Sequence, residues 1–393
     1  MKSPGDRAGA ALNAARRSEI ASFMVMDVMA AAARLEAQGR RVIHLEVGQP
    51  GAGAPRAARE AAKRAIDEGP LGYTLALGMP ALRERLARHY RETYDVDVAP
   101  ERIVITNGSS AGFILAFLAL FDIGDPVAVP SPGYPCYRNI LTALGQPYVA
   151  IETDASGRWM PTLAQIEAAG DIRGLLIASP NNPTGTMIEP DRLAALVDWC
   201  ARSQRWFISD EIYHGLTFGQ PATTALSTSQ DAIVINSFSK YFSMTGWRVG
   251  WLVVPEALVE AFERLAQNLF ICAPAVSQAA ALGAFESRDE LEENVANYAR
   301  NRAFLMENLP NVAFSELVPA DGGFYLYADV SRFTGDSLAF SREMLEETGV
   351  AATSGVDFDE IRGGRYLRFS YAGTHGDMHE AVERLSQWER LKG

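Results

Sequence analysis

The stretch S-F-S-K-Y-F-S-M-T-G-W-R-V-G, Ser237 to Gly250, joins three groups that could act together on one small molecule. Lys240 follows the apolar run A-I-V-I-N, three residues after Ser237 and eight before Arg248, which is set between Gly246 and Gly250. A lysine at a buried strand end is a candidate Schiff-base nucleophile, because desolvation lowers its pKa and frees the amine lone pair. A hydroxyl and a guanidinium close by could hold a phosphate dianion. A lysine beside a phosphate cup is what pyridoxal phosphate requires. The plainer reading is a solvated lysine ahead of a glycine-rich turn, so the neighbouring segments decide.

They favour the cofactor. In W-F-I-S-D-E-I-Y, Asp210 ends an apolar run, where a buried carboxylate is costly unless a cation or hydrogen bond pairs with it. A pyridinium N–H is such a partner, and the pair keeps the ring protonated as an electron sink. Tyr213, three residues on, could donate its hydroxyl to the ring's phenolate oxygen. L-L-I-A-S-P-N-N-P-T-G is a strand followed by a Pro/Gly turn, and Asn182 there can offer an amide N–H. Ser109 and Ser110, in T-N-G-S-S-A-G-F, fall at a helix start, where free N–H groups and the dipole favour an anion. Ordinary N-capping is the alternative for that serine pair. Arg368, in Y-L-R-F-S-Y-A, shares a strand face with Tyr366 and Ser370, while Leu367 and Phe369 point the other way. An arginine on a short strand in an apolar setting wants a carboxylate.

With N-P-T-G, D-E-x-Y, S-x-S-K and G-W-R-x-G in order, the chain resembles the class I and II aminotransferases, the fold-type I pyridoxal-phosphate enzymes that include aspartate and aromatic aminotransferases. The matching motifs run from about Gly48 to Arg368. The resemblance implies a Lys240 aldimine, an Asp210 contact to the ring nitrogen, Tyr213 and Asn182 at the phenolate oxygen, and a phosphate held by Ser109, Ser110, Ser237 and Arg248. It also implies Tyr134 stacked on the ring and Tyr73 reaching the phosphate of a second subunit, hence a homodimer with composite sites. Arg368 then clamps the substrate α-carboxylate, and Gly48 closes over the substrate. The implied reaction is transfer of an amino group from an amino acid to a 2-oxo acid, 2-oxoglutarate being the expected acceptor, with pyridoxamine phosphate between the half-reactions. A β-lyase, decarboxylase or racemase on the same scaffold is the alternative, since the cofactor's electron sink serves all of them. Dicarboxylate-specific relatives often carry an arginine about thirty residues after the lysine. Gln267 to Pro274, Q-N-L-F-I-C-A-P, holds no cation, so a neutral aromatic or aliphatic donor is expected.

The elements that must position these groups are legible too. From about Ile103 to Pro255 the pattern is strand, turn, helix, repeated, with near-continuous apolar strands. That pattern indicates an α/β fold whose mostly parallel sheet is covered on both faces. Ligands on such sheets bind at the carboxyl ends of the strands, where the motifs fall. A helix is expected over Met24 to Gly39 and a strand into a glycine-rich loop over Val42 to Gly51. The resulting division is residues 1–50 as an N-terminal arm with part of a small domain, 51–287 as a large cofactor-binding domain, and 288–393 as a smaller α+β domain. The first ~15 residues read as a flexible tail.

A chain of 393 residues, nearly half of them hydrophobic, can bury a large core. A formal charge of −12 argues against nucleic acid and anionic membrane as partners. The longest apolar stretch, Ala111 to Phe121, falls short of the ~20 residues that span a bilayer. Three scattered cysteines, Cys136, Cys200 and Cys272, fit a reducing cytoplasm. No G-x-G-x-x-G follows the first strands, against a nicotinamide enzyme. Only 47 residues precede Gly48 and the chain is acidic, which argues against the basic DNA-binding module of a regulator built on this domain. His375 and His379 have the spacing of a helical metal pair, with Asp377 between them, but a solvated helix face explains them better.

Overall fold

The computed structural model describes residues 14–314 and 317–392, so most of the expected N-terminal tail lies outside the described residues. After a 3-10 turn at Arg16–Ser18 come α1 (Met24–Ala37) and the two-residue strand β1 (Ile43–His44), followed by α2 (Arg56–Glu68) and α3 (Pro80–Tyr94). Next come β2 (Ile103–Thr106), α4 (Ser109–Leu120), β3 (Val127–Ser131) and β4 (Tyr148–Glu152). Strands β5 (Gly174–Ala178), β6 (Trp206–Asp210), β7 (Ile233–Ser237) and β8 (Gly250–Val253) complete a seven-stranded sheet in the order β2-β8-β7-β6-β5-β3-β4. All neighbours are parallel except β8, which runs antiparallel to both β2 and β7.

The strands are apolar along most of their length because both faces are covered, with polar residues gathered toward the carboxyl ends of β6 and β7. Ile103, Leu175, Ile177, Phe207 and Val234 pack on one side. Val104, Leu176, Ile208, Ile233 and Ile235 pack on the other. This two-residue alternation between two helical layers turns a continuous apolar run into a buried parallel strand. Edge strand β4, Y-V-A-I-E, was not read from the sequence. It is only partly buried, and its alternation is broken by Ala150.

A second core forms around β9 (Tyr325–Asp329), β11 (Thr353–Ser354) and β12 (Tyr366–Ser370), an antiparallel sheet in the order β11-β12-β9. Leu367 and Phe369 enter that core, as their alternation with Arg368 requires. The strand β10 (Val350–Ala351) pairs in parallel with β1, which fastens the start of the chain to this C-terminal layer. Thr374 caps the helix His375–Gln387 in a reciprocal box with Asp377, whose carboxylate accepts from the Thr374 N–H, and His375 Nδ1 bonds Asn301 at 2.9 Å. These contacts give Asp377 and His375 structural roles.

Candidate active site

The cleft lies at the carboxyl ends of β5, β6 and β7, between the large sheet and the C-terminal layer, with a volume of about 370 Å³. Ten residues singled out from sequence line it: Gly48, Ser109, Ser110, Tyr134, Asn182, Asp210, Tyr213, Lys240, Arg248 and Arg368. They come from segments far apart in the chain, and the strand ends bring them together.

Lys240 stands one short turn beyond β7, and its Nζ donates to the Gly48 carbonyl at 2.6 Å. Burial pushes its pKa down to about 8, helped by the Arg368 and Arg248 charges and opposed by Asp210. Gly48 cannot be replaced without movement, since a Cβ there would sit 2.1 Å from the Tyr325 hydroxyl.

Asp210 ends β6 and is 3% exposed. Its carboxylate accepts from the Tyr137 hydroxyl and from the Ile212 N–H at 3.1 Å. Burial nevertheless pushes its pKa up to about 6, against those two bonds and the Lys240 charge. A carboxylate held this way gains from a cationic N–H brought to it.

At one end of the cleft, α4 begins on Gly108 with no side-chain cap. Ser109 and Ser110 are the first helical residues, one step past the position a capping serine occupies. Arg248 lies against this turn so closely that a Cβ on Gly108, whose φ is +78°, would sit 2.3 Å from Arg248 Nη2. Arg248 itself has φ +51° and donates to the Thr245 carbonyl at 3.1 Å. Free N–H groups, the helix dipole and a guanidinium make an anion site.

At the other end, Arg368 is 2% exposed and sandwiched between the rings of Tyr325, 4.4 Å away, and Phe358, 4.7 Å away. Its guanidinium donates to Asn182 Oδ1 at 3.0 Å, to the Glu46 backbone carbonyl and to Thr353 Oγ1 at 3.3 Å, none of them a carboxylate. Its Nε is buried without a partner. Tyr213 bonds the Tyr325 hydroxyl at 2.9 Å. Tyr134 meets Tyr137 edge to face at 5.4 Å.

Two residues of the expected set are placed elsewhere. Ser237 does not line the cleft. Its Oγ bonds the Val249 carbonyl at 3.0 Å and Ser239 Oγ at 2.8 Å, and Ser239 is the serine on the wall. Ser237 is the last residue of β7, with its hydroxyl spent on the Val249 carbonyl just ahead of β8, whereas Ser239 lies in the turn beyond the strand. Tyr73 is 84% exposed on the surface and does not reach its own chain's cleft. The segment Gln267 to Pro274 is also off the wall, with Leu269 and Ile271 half exposed to solvent.

Sequence reasoning missed Tyr137, Tyr325 and the lining contributed by α1 and its cap, Phe23, Val25, Met26 and Met29. Tyr137 stands three residues after Tyr134, a spacing that could have flagged it. Nothing local marks Tyr325 or α1, whose positions depend on tertiary packing. His214 accepts no site role. It bonds the Tyr94 hydroxyl at 2.9 Å, and burial pushes its pKa down to about 3.

An amine of lowered pKa, an anion-binding turn and a buried arginine lacking a carboxylate share one cleft of an α/β fold, a set suited to a carboxylate-bearing small molecule. The family model described as aminotransferase class I and II matches residues 40–385, and the chain belongs to that family. It is 50% identical over 381 residues to the valine–pyruvate aminotransferase of Mycobacterium tuberculosis, covering 95% of this chain and 98% of that one. The crystal structure of an aminotransferase from M. tuberculosis superimposes with a TM-score of 0.94 at 48% identity, over 96% of this chain and 98% of the other. The aspartate aminotransferase of Thermus thermophilus with maleate gives 0.90 at 29% identity, covering 96% and 99%. The fold is accordingly that of fold-type I aminotransferases, and the chain is an aminotransferase.

Proposed function

We propose that this aminotransferase uses pyridoxal 5′-phosphate to move an amino group from a neutral, apolar amino acid to a 2-oxo acid. The observation that carries the reading is that Arg368, buried with only neutral partners, faces the same cleft as Lys240 Nζ. One group fits the α-carboxylate that every amino acid and 2-oxo acid presents, and the other fits an aldehyde.

The cofactor suits the donor set. Arg248, the α4 N–H groups, Ser109, Ser110 and Ser239 would hold its phosphate, and Asp210 would hold the proton on its ring nitrogen. Tyr134 would cover a ring face, and Tyr213 and Asn182 would bond its phenolate oxygen. The bound cofactor supplies an electron sink for the donor's α-carbon. Lys240, its pKa lowered by burial, would be the base whose Nζ takes the proton from that carbon. Tyr137 keeps Asp210 ionised, and Arg368 fixes the donor's orientation by a two-pronged grip.

The acceptor follows from charge. Among the described residues, the cations on the cleft wall are Lys240, Arg248 and Arg368, and this reading already assigns all three. 2-Oxoglutarate, the acceptor expected from sequence, has a second carboxylate that needs a further partner. Pyruvate does not, and it is the acceptor in the name of the M. tuberculosis relative. Pyruvate is therefore the second reading.

The wider reading is a cytoplasmic homodimer in which Tyr73 of one subunit completes the phosphate site of the other. The exposure of Tyr73 supports it, as does a shallow depression beside Arg248 that includes Gln49, Thr245 and Pro274. No helix among the described residues is long and apolar enough to cross a membrane. The division into 1–50 as an N-terminal arm with part of a small domain, 51–287 as the large domain and 288–393 as the rest of the small domain is supported by the β1–β10 pairing and by the separate core around β9 and β12. The test is a panel of amino donors against pyruvate and 2-oxoglutarate, read as 2-oxo acid formed. Parallel ping-pong lines with valine, leucine or phenylalanine are expected. Donor consumption without matched amino transfer would refute the reading.

A further inference from the structure

The first turn of α1 is an apolar part of the cleft wall, and its own sequence leaves its N-terminus without a side-chain cap. The N-cap residue is Phe23, whose side chain accepts no hydrogen bond, so the free N–H groups of the turn need an outside acceptor. That acceptor comes from 333 residues away: Asp357 Oδ1 takes the Met24 N–H at 3.4 Å. Asp357 is buried, and its Oδ2 has no partner.

The short loop carrying Asp357 also touches the other walls. Its backbone carbonyl accepts from Arg138 Nη2 at 2.7 Å, on the helix that bears Tyr137. The next residue, Phe358, lies under Arg368, and its carbonyl accepts from the Gly133 N–H at 3.0 Å, beside Tyr134. Phe23, beside the capped turn, meets Tyr134 edge to face at 6.1 Å.

We propose that Asp357 is a positioning residue: it supplies the cap that α1 lacks, and so fixes Val25, Met26 and Met29 as the wall against which an amino donor's apolar side chain is selected. The selection half of this statement rests on the aminotransferase reading; the capping half does not. A donor held by Arg368 with a large apolar side chain buries it on this wall, whereas alanine does not reach it. Met26 and Met29 are exposed enough to lose water when covered, which is the source of the preference.

The test compares Asp357→Ala with Asp357→Asn, because asparagine caps about as well as aspartate. Hydrogen exchange of the purified holoenzyme reads the cap directly. Amides of residues 24–28 should exchange about fivefold faster in Asp357→Ala, the effect of losing a cap, and at nearly the wild-type rate in Asp357→Asn. In kinetics, Asp357→Ala should raise KM for leucine and valine about fivefold while changing kcat/KM for alanine less than about twofold, with Asp357→Asn restoring the wild-type ratio. If Asp357→Ala fails to fold, Met26→Ala with Met29→Ala should shift the leucine-to-alanine ratio in the same direction, and Asp357→Asn should still show wild-type exchange. Unchanged exchange in Asp357→Ala, or an equal loss for every donor, overturns the inference. A wild-type enzyme that transfers no amino group from any donor counts instead against the proposed function, and the exchange result still stands on its own.

Discussion

Tyr137 donates its phenolic hydrogen to the Asp210 carboxylate inside the cleft, joining the helix after β3 to the end of β6. Burial raises the Asp210 pKa and this bond opposes the rise. Tyr137→Phe should therefore move the acid limb of the pH–rate profile to higher pH, because the carboxylate then protonates more easily. A hydrogen bond to a charged group contributes roughly 1.5–3 kcal/mol, so kcat should fall about 10- to 100-fold. An acid limb that stays in place would show that Tyr137 does not tune Asp210.

Arg368→Lys should act mainly on substrate affinity. The guanidinium grips a carboxylate with a planar fork, which an ammonium cannot copy. Losing a buried charge-paired contact costs roughly 2–5 kcal/mol, so kcat/KM should drop about 30-fold or more for every donor. Steady-state kinetics with an unchanged KM across the donor panel would remove Arg368 from the substrate site.

His44 links α1 to the segment under Arg368. Its Nδ1 lies 2.8 Å from Glu46 Oε1 and its Nε2 lies 3.1 Å from Glu36 Oε1. The Glu46 bond, with that of Glu36, raises its pKa to about 9 despite partial burial. A histidine whose folded pKa lies above its unfolded value stabilises fully below about pH 6.5, and loses that contribution as pH rises through about 9. The Tm difference between wild type and His44→Gln should be largest near pH 6 and vanish by about pH 10. A difference that grows with pH would contradict this assignment.

Much of the architecture was legible because buried parallel strands announce themselves as unbroken apolar runs, and chemistry follows directly at their ends: Asp210 after W-F-I-S, Lys240 after A-I-V-I-N. What escaped was set by contacts between distant segments. Phe23, Val25, Met26 and Met29 read as one face of an ordinary amphipathic helix, and the β1–β10 pairing, the packing of Val28 and Ala32 with Leu345 and Ala351, and the Asp357 cap carry that helix to the cleft. The expected apolar donor was argued from Leu269 to Pro274, a segment off the wall; the apolar lining comes instead from α1. Ser237 is the hydroxyl that the sequence offers for the phosphate, but the strand bonds it to the Val249 carbonyl, and the turn after β7 brings Ser239 to the cleft.

Two impaired variants test the composite site. In a mixture of Tyr73→Phe and Lys240→Ala, a heterodimer combines Lys240 from the first subunit with Tyr73 from the second. Activity should return on mixing and refolding together. Sedimentation showing a fully active monomer, or no recovery in a verified heterodimer, would end the homodimer proposal.

The most direct measurement is reduction of the purified enzyme with borohydride, followed by peptide mapping. The buried amine of Lys240, its pKa lowered to about 8, should carry the cofactor. The account predicts a yellow protein that bleaches on reduction, with one pyridoxyl group on the peptide containing Lys240. A modified lysine elsewhere in the chain, or no modified lysine in a cofactor-saturated enzyme, would contradict it.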